Sequence, residues 1–484
     1  MLEFAVVSKA ARRARAPKSV KVGMIGLGCA KNLVDGEVML GHLVEHGAEV
    51  VTDLDAAEVV IVNTCGFIED AKRESIAALL EVAGRKQRGA LRRLVVAGCM
   101  AQRYAAELAA EIPAIDAFVG LDELERAPEA VLGRLPGHVP DQRAALGLYD
   151  HRAPRLLSTG GAFAYLKVAE GCNNPCAFCH IPRMRGAFRS RTPESLVAEA
   201  RRLEAAGVRE LVLIAQDTTR YGEDLGMGRA GLRRLLEALL AGTTIPWVRF
   251  MYAYPATLDP GIFRLMAREG RLVPYLDIPL QHASRRVLKA MKRGGDADRY
   301  RELIARARAS VPDLAVRTTF IVGFPGEGEA EFAELQAFVD EVRFDHVGVF
   351  TYSFQEENPG AALGDPVPER AKRRRRRLLM KQQERISREH NRALRRRELT
   401  AIVEGASPES DYLLQGRLAR QAPEVDGRVL FTDGTARAGD LVRVRVTNSY
   451  AFDLVGKITG VVTPAPERRG ALLPSLAAAR RAAG

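Results

Sequence analysis

Six cysteines occur in the 484-residue chain, and they fall into two trios. Cys172, Cys176 and Cys179 are tightly clustered, with three residues and then two between them, whereas Cys29, Cys65 and Cys99 are dispersed. Thiolate sulfur is a soft ligand for iron and zinc. A triplet without a fourth local thiol fits a four-iron cluster in which three irons are held by sulfur and one is left open, because closed structural sites use all four positions. An open iron binds a small molecule directly. The competing reading is a zinc knuckle whose fourth ligand is His180 or comes from elsewhere in the chain. For Cys29, Cys65 or Cys99 taken alone, the competing reading is a buried thiol packed as a small hydrophobe.

The elements that would bring the dispersed trio together are visible in the hydrophobic pattern. From Val20 to about Gly120, apolar runs alternate with amphipathic stretches: VGMIGL and a helix through Val34 to Leu43, EVVIVNT and a helix from Glu69, RLVVAG and a helix from Gln102, then DAFVG. This predicts an α/β domain with a parallel sheet over residues 20–130. Cys29, Cys65 and Cys99 each follow one of these runs, at the carboxyl edge where such sheets carry their sites. Residues 121–160, richer in Pro, Gly and Arg, read as a connection. From Ala162 to Ser353 six apolar runs alternate with helical stretches, from FAYLKVAE to VGVFTYS. They predict a partial or complete barrel of parallel strands and helices within residues 155–398, with the tight trio just past the first strand, at the mouth. Gln216, Asp217, Thr218, Tyr252, Tyr254, Gln281 and His282 gather at the same mouth, and each has a plain alternative as a helix cap or hydrogen-bonded core group. GFPGE at 323–327 is a turn that lets backbone approach a ligand closely.

The formal charge of +12 suggests a polyanionic partner, RNA foremost. Much of the excess lies in a predicted helix over residues 372–397, whose alternative is a merely solvated face. Residues 399–463 alternate β-branched and polar side chains and predict a small β-barrel. That segment holds seven Lys and Arg against eight Asp and Glu, a net charge of −1. Residues 464–484, rich in alanine and arginine, read as a disordered tail. No apolar run approaches the roughly twenty residues that span a bilayer. The N-terminus lacks the order of a secretory signal, so a cytoplasmic protein is expected. In that reducing compartment six cysteines are better read as metal ligands than as disulfides.

The cysteine spacing Cys172-x-x-x-Cys176-x-x-Cys179 at a barrel mouth resembles the radical S-adenosylmethionine (SAM) superfamily. With a three-cysteine domain ahead and a β-barrel behind that looks like a TRAM domain, the chain resembles the methylthiotransferases from about Val20 to Val462. The strings IAQDTTRYG, MYAYP, YLDIPLQHAS, RTTFIVGFPGE and APEVDG resemble the branch that modifies ribosomal protein S twelve of the small subunit rather than the branch that modifies tRNA. The resemblance implies two 4Fe-4S clusters. One, on Cys172, Cys176 and Cys179, would bind SAM and generate a 5'-deoxyadenosyl radical that takes a hydrogen from the β-carbon of an aspartate. The other, on Cys29, Cys65 and Cys99, would hold the sulfur to be transferred, methylated by a second SAM. Implied partners are the S twelve protein, free or on the subunit, and an electron-donor reductase, with ribosomal RNA beside the basic helix and no membrane. The near-neutral β-barrel agrees, since a barrel gripping tRNA needs a positive face. Two features depart from the family: His180 follows the last cluster cysteine where an apolar or small residue is usual, and the first nineteen residues have no match. The alternatives are the same reaction on a tRNA adenosine, a non-catalytic iron-sulfur sensor that binds RNA or the ribosome, and a radical methylase, which would have no need of the dispersed trio.

Overall fold

The computed structural model describes residues 19–141 and 147–466. The expected tail lies outside the described residues from 467 onward, as does the unmatched N-terminal stretch before Ser19. The first sheet is built from β1 (Lys21–Gly26), β2 (Glu49–Val50), β3 (Val59–Thr64), β4 (Arg93–Gly98) and β5 (Ala117–Val119), ordered β2-β1-β3-β4-β5 with every pair parallel. Its central strands are apolar throughout because both faces are covered. Val59, Ile61 and Val95 point into one core, and Val60, Val62 and Val96 into the other, as the two-residue repeat of a strand requires. Helices α1 (Ala30–Glu45) and α4 (Ala127–Val131) cover the first face; α2 (Glu69–Gln87) and α3 (Cys99–Glu111) cover the second. The helix expected from Gln102 therefore begins three residues earlier, and Cys99 is its first residue.

The central region carries β6 (Phe163–Lys167), β7 (Ala169–Glu170), α5 (Ile181–Arg185), β8 (Arg189–Ser190), α6 (Pro193–Ala205), β9 (Glu210–Ile214), α7 (Gly231–Gly242) and β10 (Trp247–Phe250). It continues through α8 (Gly261–Arg268), β11 (Tyr275–Asp277), α9 (Arg285–Ala290), α10 (Ala297–Ser310), β12 (Ala315–Val322), α11 (Glu329–Val342) and β13 (His346–Thr351). The six expected strands are present and parallel, but as two three-stranded sheets, β10-β9-β6 and β11-β12-β13. The seam falls beside β11, which is short and flanked by Pro274 and Pro279, residues with no N–H for a ladder. The run FAYLKVAE also splits at Val168, because β7 leaves the barrel to pair antiparallel with β8 and forms the stem of the loop that carries the tight trio.

The basic helix α12 (Glu369–Ala393) lies against β13 and leads into β14 (Glu398–Ser407), β15 (Ser410–Leu418), β16 (Val429–Asp433), β17 (Leu441–Ser449) and β18 (Leu454–Thr463), a closed barrel. This barrel plugs the amino-terminal end of the central strands. Arg417 donates to Glu210, which also takes a bond from Arg249, at 2.6 and 2.7 Å with all three side chains at most 2% exposed. The loop that follows β15 supplies Asp426 to Tyr275 and Arg317 at 2.6 and 3.3 Å. An apolar layer of Val34, Phe163, Tyr165, Ile402 and Leu441 joins all three regions.

Removing one member of a buried charge group leaves the others uncompensated, at about 3–5 kcal/mol. Glu210→Gln is expected to lower the melting temperature and to raise hydrogen exchange in β9 and β15 together. An unchanged melting temperature would show that this contact does not hold the plug.

Candidate active site

The three dispersed cysteines lie on turns that leave β1, β3 and β4, and side chains knit these turns into one surface. Asn32, on the first turn of α1, donates to the carbonyls of Leu27, Asn63 and Thr64 at 2.7, 3.3 and 3.2 Å. Asn63 returns a bond to the Asn32 carbonyl at 2.7 Å. Thr64 Oγ1 bonds the Ala97 carbonyl at 2.6 Å, one residue before the turn that carries Cys99. Two glycines are required here. Gly28 has φ +87°, and a Cβ on it would stand 2.7 Å from Cys65 Cβ; Gly98, also at φ +87°, would meet Asn63 Oδ1 at 2.4 Å. The turns are thus close-packed, and their thiols feel one another: Cys65 is influenced by Cys99 and Cys29, and Cys99 by Cys29.

The cations around this trio were not among the sequence candidates. Arg185, at the end of α5, is 2% exposed and donates to Cys99 Sγ at 3.4 Å. Its charge is met by Asp35 and Glu170, each with an oxygen within 3.1 Å, and the same two carboxylates bind Lys167 at 2.5 and 2.7 Å. Lys31 is the second cation close to Cys29. Burial pushes the Cys65 thiol up to about 12, with Cys99 adding to it. Burial also raises Cys99, against the opposing pull of Arg185. Cys29 alone retains exposed surface, yet enough protein surrounds it that burial opposes its ionisation; Lys31 and Arg185 outweigh that and hold its thiol below the usual range.

The tight trio sits in the loop between β7 and α5, at the carboxyl end of β6. Arg293 plays there the part that Arg185 plays beside Cys99: its guanidinium stacks on Tyr254 at 4.2 Å and approaches Cys176 Sγ at 3.6 Å. The Asn174 backbone donates to Cys172 Sγ at 3.4 Å, and its side chain bonds Asp217 at 2.8 Å. Burial raises the pKa of Cys172 and pushes Cys179 up to about 12. Cys172 and Cys179 border a cleft of about 450 Å³.

His180 does not join this trio as a fourth ligand. Its Nδ1 lies 2.9 Å from Asn358 Oδ1 and its Nε2 3.3 Å from the Gly66 carbonyl, so both ring nitrogens are engaged elsewhere. Burial drives its pKa down to about 4, so the ring is neutral and its single N–H donates to one of these two oxygens. Since Gly66 follows Cys65, this residue instead ties the two cysteine loops together. Among the described residues no three His, Cys, Asp or Glu side chains close on a single ion-sized point, as a lone zinc requires and a cluster spread over several ångströms does not. Three sulfurs per site, with N–H donors on Cys99, Cys172 and Cys176, suit two thiolate-bound clusters.

Of the polar residues expected at the mouth, most have structural duties. Thr218 bonds the Met251 carbonyl at 2.6 Å, and His282 Nδ1 accepts from Ser284 N at 3.0 Å. Tyr252 and Gln281 differ, with positive φ of 62° and 72° at neighbouring strand ends. Gln216 donates to Glu170 at 2.6 Å and so joins the buried charge group. The basic helix is divided in use. Lys372 and Arg375 are buried against Asp365 and Glu327, whereas Arg370, Arg373, Arg374 and Arg377 line an open groove of about 570 Å³.

Comparison with known proteins follows the same three regions. Residues 21–120 match the model described as uncharacterized protein family UPF0004, residues 166–339 the radical SAM superfamily, and residues 397–459 the TRAM domain. The ribosomal protein uS12 methylthiotransferase RimO of Geobacter sulfurreducens is 48% identical over 442 residues, covering 90% of this chain and 98% of that protein. Its counterpart from Syntrophotalea carbinolica is 49% identical over 442 residues, covering 90% and 96%. The radical SAM methyltransferase TsrM of Kitasatospora setae, solved with cobalamin and a [4Fe-4S] cluster bound, superposes with a TM-score of 0.51 at 16% identity, over 71% of this chain and 77% of that one; this likeness concerns the fold alone. Identity near one half along almost the whole length, with the same three regions in order, leaves one assignment: the chain belongs to the RimO family of radical SAM methylthiotransferases.

Proposed function

We propose that the protein adds a methylthio group to the β-carbon of an aspartate in ribosomal protein uS12, the S twelve protein of the small subunit. We further propose Cys172, Cys176 and Cys179 as ligands of the cluster that binds SAM, and Cys29, Cys65 and Cys99 as ligands of the second cluster. The division into residues 20–130, 155–398 and 399–463 is part of the same reading. The observation that carries it is the pair of three-thiol sites joined through Arg185 and His180. When bound, the clusters and SAM supply the one-electron chemistry that removes hydrogen from an unactivated carbon, which no side-chain base achieves. The chain's own residues do the rest. Arg293 and the Asn174 amide direct positive dipoles at the sulfurs of the tight trio, and Arg185 does so at Cys99. The plugging β-barrel leaves the mouth as the open end of the central strands.

Two features favour uS12 over a tRNA adenosine: the relatives' own description, and a β-barrel segment with a net charge of −1 where a tRNA grip would be positive. The open arginine groove on α12 is a ready contact for ribosomal RNA next to the target. No helix of the described residues is long and apolar enough to cross a membrane. We place the reaction in the cytoplasm, with a reductase as electron source.

Mass spectrometry of uS12 and of tRNA nucleosides, from cells with and without the gene, is expected to show the methylthio group on uS12 alone; its appearance only in tRNA would reverse the substrate. With anaerobically reconstituted protein, Cys176→Ala is expected to abolish 5'-deoxyadenosine formation, while Cys65→Ala retains it and loses sulfur transfer. Equal loss in both would defeat the separate roles, and no 5'-deoxyadenosine from the unaltered enzyme would favour a sensor. In metal-free protein near pH 8, iodoacetamide should label Cys29 ahead of Cys65 and Cys99, because only Cys29 has both a lowered pKa and exposed surface. Arg370→Glu with Arg377→Glu is expected to weaken binding to small subunits and to make its logarithmic salt dependence shallower by about two, with methylthiolation of isolated uS12 unchanged.

A further inference from the structure

Lys31 stands two residues beyond Cys29 on the first turn of α1 and is 8% exposed. Its ammonium lies 3.6 Å from the centroid of the Tyr252 ring. Tyr252 directly follows the turn out of β10, and its φ of 62° is a left-handed conformation that a bulky side chain adopts only under constraint. The constraint is a bond from its backbone N–H to Asp277 Oδ2 at 2.9 Å. Two distant segments are therefore bent so that one ring faces one ammonium, between the dispersed trio and the barrel mouth.

Lys31 is held differently from the cations beside it. Lys167 and Arg185 each bind both Asp35 and Glu170, and Arg155 binds Glu37 and Glu199. Lys31 makes no ion pair or hydrogen bond to a carboxylate among the described residues. Its neighbours in charge are Tyr252, Cys29, Arg185 and Glu170, of which the last is committed to Arg185, Lys167 and Gln216. The Cys29 thiolate and the ring face favour the ammonium, but its N–H groups donate to no carboxylate among the described residues. They are open to an anion that arrives with the substrate. Lys31 stands beside Cys29 and faces Tyr252 at the strand end of the barrel mouth, and an aspartate carries its carboxylate one bond from the carbon to be modified.

We propose that Lys31, seated on Tyr252, binds the side-chain carboxylate of the target aspartate and so sets its β-carbon between the two cysteine trios. The proposal rests on the uS12 reading. It makes Lys31 a residue that selects an anionic amino acid; an adenosine base would leave the ammonium unpaired.

The test uses anaerobically reconstituted full-length enzyme and three forms of uS12, with the target aspartate intact, changed to Asn or changed to Ala. Binding is measured by titration, and methylthiolated uS12 is counted against 5'-deoxyadenosine. For unaltered enzyme, Asp→Asn in uS12 is expected to weaken binding at least about tenfold. Lys31→Met should impose a similar loss on intact uS12 and abolish the difference between the Asp and Asn forms, since the two changes remove one interaction and do not add. It should also raise the 5'-deoxyadenosine made per uS12 modified. Lys31→Arg should keep the discrimination. Iron is measured on every sample. If Lys31→Met loads poorly, Lys31→Gln is compared with Lys31→Arg at matched iron, where loss in Gln alone supports the proposal and equal behaviour overturns it. Additive losses, or full Asp-over-Asn discrimination in Lys31→Met, would overturn the role of Lys31 while leaving uS12 as substrate. Failure of the unaltered enzyme to bind any uS12 would instead overturn the substrate assignment, and this proposal with it.

Discussion

A single buried guanidinium organises the centre of this molecule. Arg185 emerges from the loop that holds one set of cysteines and ends on a sulfur of the other set. Such a charge is tolerated inside a protein only with opposite charge at close range and with its N–H groups satisfied. Asp35 supplies this from the sheet domain and Glu170 from the strand beside the tight trio, and Lys167 balances the two carboxylates from β6. Four side chains from four elements are thereby committed to one arrangement. The two thiol sites cannot separate without exposing or orphaning one of these charges.

The same logic accounts for the way the regions meet. Apolar contacts such as Val34 with Phe163 and Ile402 supply burial, but they tolerate sliding. Charge groups with fixed hydrogen-bond directions do not. Glu37 on α1 shows this clearly, since it receives Arg155 at 2.7 Å and both the backbone and the hydroxyl of Ser158 at 2.6 and 2.7 Å. A segment with no regular structure is held to a helix by one carboxylate, and the register between sheet domain and barrel follows.

Much of this was legible in the sequence. The cysteines announced themselves by spacing, and the first sheet by runs such as VVIVNT, since a strand covered on both faces has no polar residues to confuse the pattern. The two glycines before Cys29 and Cys99 carried a local signal too. Arg185 and Lys31 were invisible for the opposite reason. A basic residue in a sequence looks solvated, and what makes these two different is where Asp35 and Tyr252 lie in space, separated from Arg185 and Lys31 by well over a hundred residues. The break between the two central sheets was hidden as well, because it depends on prolines flanking a short strand rather than on any loss of apolar character. The charge count on α12 misled in part: Lys372 and Arg375 read as surface and are interior.

The plug at the far end of the strands has a temporal meaning. Glu210, Arg249, Tyr275 and Arg317 lie in the interior, and they are completed by Arg417 and Asp426, which are far downstream in the chain. During synthesis the strands therefore exist for an interval with this polar interior open to water and only partly matched, by Arg249 with Glu210 and Arg317 with Asp277. The strands reach their final state only after the residues as far as Asp426 have left the ribosome.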